Sequence, residues 1–261
     1  IRLYKTNIDL IHTNSSVTPI GAWLAYLMGI KHIWHVREFG WDDYKLKYDL
    51  GRKQFEYWLN KAEHIISVSK AIDVKVLKGV TTPSTVIYNG VISRENAKRI
   101  NIQEVTNSTK TVFGIIGVLS PAKGQEQAIR AFSKINKMYP DTELLIAGSG
   151  SEKNEEFLHE LSLKLAIKES IYFLGFVDDP FEFYSKIDAL LVCSKSEGMG
   201  RVTAEAMIAG KPIIGLDNAG TSELIEHEKN GILYNDSTAC LVSKMKDIIN
   251  KDLSYLSVNA R

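Results

Sequence analysis

Cysteine is scarce. Two residues in 261, Cys193 and Cys240, far apart and without a CxxC pair, exclude a disulfide framework and a thiolate metal site. They read as buried thiols, and a reducing compartment, the cytoplasm, is expected. No stretch approaches the roughly 18 consecutive apolar residues of a membrane span, so any bilayer contact has to be peripheral. Charge of one sign is also lacking. With 32 Lys plus Arg against 31 Asp plus Glu the net charge is +1, and neutralising nucleic-acid phosphates takes a clustered basic surface that the sequence does not show. Nucleic acid is set aside as a partner. There is no Asp-x-Asp pair and no histidine cluster at ligand spacing, so no metal is implied. A start methionine and a signal-peptide layout are missing too. The chain opens on Ile1-Arg2-Leu3-Tyr4-Lys5 and stops in mid-pattern at Asn259-Ala260-Arg261, so a fragment is expected.

What is present is a globular composition, 44% hydrophobic and 24% charged, with length enough for two cores. Short apolar runs alternate with amphipathic stretches, the pattern of strand and crossover helix repeated into parallel sheets. Strands are expected at 9–13, 31–36, 64–67 and 85–88, then at 111–118, 142–147, 171–174, 189–192, 212–216 and 231–234. Helices are expected at 125–138 and 202–209. The fold class is α/β, with two Rossmann-like doubly wound parallel-sheet domains: residues 1–92 as an incomplete first domain, 93–110 as a polar linker, and 111–261 as the second. Residues 1–92 hold 12 Lys plus Arg against 8 Asp plus Glu, and the remainder is net acidic. Two readings of that excess stay open, contact with anionic lipid headgroups and an ordinary solvated surface.

The most informative segment is Ser194-Lys195-Ser196-Glu197-Gly198-Met199-Gly200-Arg201-Val202-Thr203-Ala204-Glu205-Ala206-Met207, directly after an apolar strand. Gly198 and Gly200 disfavour helix and let backbone approach a ligand, and a helix follows whose end is marked by Gly210 and Pro212. Loop amides and a helix N-terminus form a positive end with unsatisfied donors, suited to a diphosphate. Carboxylates at Glu197 and Glu205 can accept hydrogen bonds from sugar hydroxyls. The plainer reading, in which Glu205 complements the helix dipole and Glu197 is solvated, has equal standing on spacing alone.

Glu197 and Glu205 with the intervening glycines, followed by Gly210-Lys211-Pro212-Ile213-Ile214, resemble the signature of the family 4 (group 1) retaining glycosyltransferases of the GT-B fold. The resemblance runs from about Ile8 to Tyr234. It implies that Glu197 contacts a donor sugar and Glu205 the ribose of a nucleoside-diphosphate sugar. Upstream, Gly117-Val118-Leu119-Ser120-Pro121-Ala122-Lys123-Gly124 links a strand to a helix, and Lys123 points a fixed charge at whatever binds above the sheet's carboxyl edge. The family usually has an arginine where this chain has Val118, so one of two diphosphate cations is missing. Either Lys123 acts more nearly alone or another cation substitutes. Gly148, in Ile146-Ala147-Gly148-Ser149-Gly150, falls where the family lines its nucleotide cleft, or it is an ordinary strand-to-helix turn. Phe176 and Val177 are base-neighbour candidates, with packing an equal alternative for Phe176. Asp178-Asp179-Pro180 is read as a helix cap rather than a metal site.

In the first domain, residues 11–16 and 32–39 end strands on the acceptor side, with Arg37 standing where many relatives have histidine and His35 on the same strand face. Catalytic candidates are thus Glu197, Lys123, Arg37 and His35. Donor-binding candidates are Gly117, Lys123, Gly148, Phe176, Val177, Glu197, Gly198, Met199, Gly200, Arg201, Val202, Thr203 and Glu205. The resemblance implies sugar transfer to a sugar or lipid-linked acceptor, in bacterial polysaccharide synthesis, with no cofactor beyond the donor, at the inner membrane face. The rivals are an epimerase or phosphorylase on this architecture, and a catalytically impaired binding or partner-interaction module.

Overall fold

The computed structural model describes residues 7–41, 46–48, 51–99 and 110–260. All ten expected strands are found: β1 (Leu10–Thr13), β2 (Lys31–Val36), β3 (His64–Ser67) and β4 (Ser84–Val86), then β5 (Thr111–Ile116), β6 (Thr142–Ala147), β7 (Ile171–Gly175), β8 (Ala189–Val192), β9 (Ile213–Leu216) and β10 (Ile232–Tyr234). One sheet has the order β1-β2-β3-β4 and the other β10-β9-β8-β5-β6-β7, and every pairing is parallel. The chain is therefore α/β with two parallel-sheet domains. In the larger sheet it moves outward from β5 through β6 to β7, then returns to the other side of β5 for β8, β9 and β10. The order reverses between β5 and β8, and open α/β sheets bind ligands in the crevice beyond the carboxyl ends at such a point.

By its contacts the chain groups into two units, Ile1–Asn89 with Ser196–Met199, and Gly90–Lys195 with Gly200–Arg261. The expected linker holds a short helix, Arg94–Arg99, because Ser93 accepts from the Asn96 amide at 3.2 Å and so caps it. Residues 100–109 of that linker lie outside the described residues. The strand expected to reach residue 118 stops at Ile116, since Gly117 turns the chain with φ 143°.

Strands β8 and β9 are buried along their whole length, as an α/β sheet covered on both faces requires. Helix Gln125–Met138 lays Ala128, Ile129, Phe132 and Ile135 on that sheet at helical spacing, all fully buried. In β2 the alternation places His32, Trp34 and Val36 in the core and turns Ile33 and His35 to the more open face. His32 is bound through Nε2 to the Thr13 hydroxyl at 2.8 Å. Burial, and then the neighbouring His12, push its pKa down to about 4.

The folded state therefore keeps His32 neutral while the unfolded chain protonates it near 6.5. Its contribution to stability is whole above about pH 6.5 and is lost as pH falls towards 4. Urea unfolding followed from pH 7 to 5 should show stability declining by roughly 2 kcal/mol from this group. His32→Gln should flatten the decline; an unchanged slope in that variant would contradict the assignment.

Candidate active site

In the larger unit the loops after β5 and β8 are pressed together at the strand reversal. A Cβ at Gly124 would overlap the Cys193 carbonyl oxygen, so only glycine allows this closeness. The Lys195 amide donates to the Ala122 carbonyl at 3.1 Å. Lys123 ends a single 3-10 turn, Pro121–Lys123, and its side chain is half-buried beside the crevice. The buried Gln125 amide donates to the Val118 carbonyl at 3.0 Å, holding the loop while the Val118 side chain is 55% exposed. Gly148 is a close approach and not merely a turn, since a Cβ there would overlap the Gly117 carbonyl oxygen. Beneath, burial pushes the Cys193 thiol up to about 12, which makes it inert at neutral pH.

Helix Arg201–Ile208 starts one residue earlier than expected, with Gly200 at φ 85° as its N-cap. Met199 and Gly200 are buried and Val202 half-buried. Thr203 is fully buried, and its hydroxyl has no partner among the described residues. The side chain of Glu205 is 4% exposed and already engaged. One carboxylate oxygen accepts from Arg201 Nε at 2.7 Å and the other from the Tyr184 hydroxyl at 3.1 Å. Glu205 thus does more than complement the helix dipole. Burial, and then the Glu205 charge, hold the Tyr184 phenol well above its ordinary range, so it stays a donor. The Arg201 side chain is 73% exposed, and its bond to Glu205 uses Nε alone.

In the smaller unit the carboxyl ends of β1 and β2 are stitched together. The Ser16 hydroxyl accepts from the Arg37 and Glu38 amides, each at 3.0 Å, and Glu38 accepts from the Ser16 amide at 2.9 Å. The Arg37 guanidinium donates to the Asn14 side chain at 3.3 Å. His35 stacks on His12 with ring centroids 5.7 Å apart. Burial, Arg37 and His12, in that order, lower the His35 pKa, so the ring is neutral. Its Nε2 is buried without a partner among the described residues. The Ser196–Met199 segment belongs to this unit, and a Cβ at Gly198 would come within 2.9 Å of the Arg37 carbonyl oxygen. Glu197 is half-buried.

Phe176 is not packed into the core, and the cap expected at Asp179 is formed. Phe176 is 74% exposed, beyond the edge strand β7, with Val177 half-buried next to it. Asp179 accepts from the Phe181 amide at 2.8 Å with Pro180 at the first helical position, a helix cap. Tyr184 escapes assignment from sequence, and although His12, Asn14 and Ser16 fall in the segment 11–16 expected on the acceptor side, tertiary contact alone pairs them with His35, Arg37 and Glu38.

Residues 96–259 match the model of the glycosyl transferases group 1, and residues 1–94 that of Glycosyltransferase Family 4. The chain belongs to the group 1, family 4 glycosyltransferases. An uncharacterized glycosyltransferase of Methanocaldococcus jannaschii is 34% identical over 181 residues, covering 64% of this chain and 46% of the relative. The UDP-Gal:alpha-D-GlcNAc-diphosphoundecaprenol alpha-1,3-galactosyltransferase of Escherichia coli is 27% identical over 276 residues, covering 99% and 71%. The structure of Anabaena HepE with UDP and glucose superposes with a TM-score of 0.79 at 22% identity, covering 97% of this chain and 72% of that one. The chain thus spans 46% to 72% of the lengths of these proteins.

The loops after β5 and β6 meet glycine on glycine. Gly148→Ala should therefore cost roughly 3 kcal/mol through overlap and the positive φ of 128°. Chemical denaturation measures this, and a loss well under 1 kcal/mol would show that the loops part freely.

Proposed function

We propose that the protein moves a sugar from a nucleoside-diphosphate sugar to an acceptor hydroxyl with retention of configuration. The observation that carries this reading is the strand-reversal crevice, flanked by Lys123, the start of the helix at Arg201, and the buried, engaged Glu205. The acceptor oxygen bonds to the anomeric carbon on the face from which the diphosphate leaves. The glycosyl C–O bond breaks, and the acceptor proton passes to the leaving phosphate. Lys123 and the amides of 200–203 lie where the departing negative charge grows, so no protein base and no metal is invoked. Glu197 takes the sugar hydroxyls and Glu205 the ribose, and His35 and Arg37 serve the acceptor side.

The arginine that the family places at Val118 has a substitute in Arg201. Its exposed guanidinium keeps its terminal N–H groups for a phosphate while Nε stays on Glu205. Uridine is the first choice of base, because the galactosyltransferase relative takes UDP-Gal and HepE was solved with UDP. The same relative's diphosphoundecaprenol acceptor supports a lipid-linked acceptor, and with it cytoplasmic placement at the membrane's inner face.

Titration calorimetry with UDP, GDP and ADP sugars tests the reading. At least one should bind, and transfer by the full-length protein should survive a chelator. Lys123→Ala should lower kcat by about 100-fold. Arg201→Ala should weaken binding of the diphosphate, but not of the nucleoside, by about tenfold, and adding Val118→Arg should restore it. If none of the sugars binds, the chain is better read as a partner-interaction module.

A further inference from the structure

Between Asp9 and Lys31 the chain has no Asp, Glu, Lys or Arg. The helix in that stretch, Ile20–Met28, reverses the usual surface arrangement, in which large apolar side chains face the core. Its small residues face inward: Ala22 and Ala25 are buried, and a Cβ at Gly21 would overlap the Thr13 hydroxyl. Its large residues face outward, with Tyr26 64% and Leu27 72% exposed. On the neighbouring helix Arg52–Leu59, Trp58 meets Trp23 and Tyr26 edge-on at centroid distances of 6.4 and 5.7 Å. Tyr57, 48% exposed, meets the Trp58 ring at 5.3 Å. Trp23, Tyr26, Leu27 and Trp58, with Gln54, line an open groove between the two helices.

The edge of this apolar surface is basic. Lys61 holds its ammonium 5.4 Å from the Tyr57 ring, and Lys31 and Lys61 line a second groove beside Tyr26. Lys53 is exposed on the same helix as Tyr57, whereas Glu56 is tied to Arg52 at 2.5 Å, leaving Glu63 as the acid facing the second groove.

We propose that this face is where the protein rests on an anionic bilayer. An apolar, aromatic centre with a lysine edge matches the order of acyl chains beneath anionic headgroups. Tryptophan and tyrosine settle at that boundary because each has an apolar body and a polar tip. Lysines near the surface are drawn to the lipid phosphates. This assigns residues to the membrane placement proposed above, and it stands whether or not the donor chemistry does.

The full-length protein is sedimented with vesicles of phosphatidylcholine alone and of equal parts phosphatidylcholine and phosphatidylglycerol. Binding should appear on the anionic vesicles and weaken with added salt. Tryptophan emission should shift to the blue, as Trp23 and Trp58 leave water while Trp34 is already buried. Leu27→Glu should lower binding about tenfold. Lys61→Gln should lower it about fivefold. Both variants should melt like the parent, because the altered side chains are exposed, and both should bind nucleotide as the parent does. The proposal is overturned if no vesicle binding is seen, or if the Leu27→Glu protein binds as well as the parent. It is equally overturned if a lipid-free dimer forms that Leu27→Glu abolishes, which would give the face to a second copy. Failure of nucleotide binding alone would sink the transfer reading and leave this one intact.

Discussion

The carbonyl of Cys193 occupies the space that a side chain at position 124 would need, and the carbonyl of Gly117 does the same at position 148. These two backbone approaches govern the architecture of the crevice at the strand reversal. They let the turn carrying Lys123 close against the end of β8, and they bring the loop after β6 onto the loop after β5. Parallel strands all deliver their carboxyl ends to one edge, but that alone leaves the loops apart. Glycine removes the obstacle, and the amide of Lys195 then meets the carbonyl of Ala122.

A second constraint is electrical. A carboxylate taken out of water needs hydrogen bonds and a counter-charge, and Glu205 receives both, from Tyr184 and Arg201. The two partners differ in kind. Tyr184 is fully buried and is held as a neutral donor, so it fixes the carboxylate in place. Arg201 is largely exposed and uses one edge of its guanidinium, so it neutralises the glutamate while presenting a cation at the first turn of the helix. The loop after β5 carries an uncharged Val118, and the cation at this level stands instead at the start of the helix after β8. In the smaller unit the corresponding device is a hydroxyl. Ser16 gathers two backbone amides and so orders the segment bearing Arg37 next to a neutral His35.

The strand positions of the larger sheet and the burial of β8 and β9 follow from patterns visible in the chain. Continuous apolar runs such as Ala189–Val192 and Ile213–Leu216 fit strands covered on both faces, and the helix 125–138 shows its core face at helical spacing. Where the sequence reading slipped, local geometry was the reason. A positive φ at Gly117 ended a strand early, and a cap at Gly200 moved a helix start by one residue. Phe176 illustrates a different limit. An aromatic after an apolar strand fits a core or a ligand edge equally well, and only its 74% exposure takes it out of the core.

Periodicity and turn chemistry were enough to set the α/β class and the ten strands, and the motif around Glu197 and Glu205 carried the resemblance to the family, because each is a property of neighbouring residues along the chain. Who holds those side chains was decided elsewhere. Tyr184 reaches Glu205 across 21 positions, Asn14 reaches Arg37 across 23, and the outward turn of Tyr26 and Leu27 depends on how closely Gly21 lets its helix lie against Thr13. Contacts of that span are settled by packing of the whole sheet and its helices, and no local pattern encodes them.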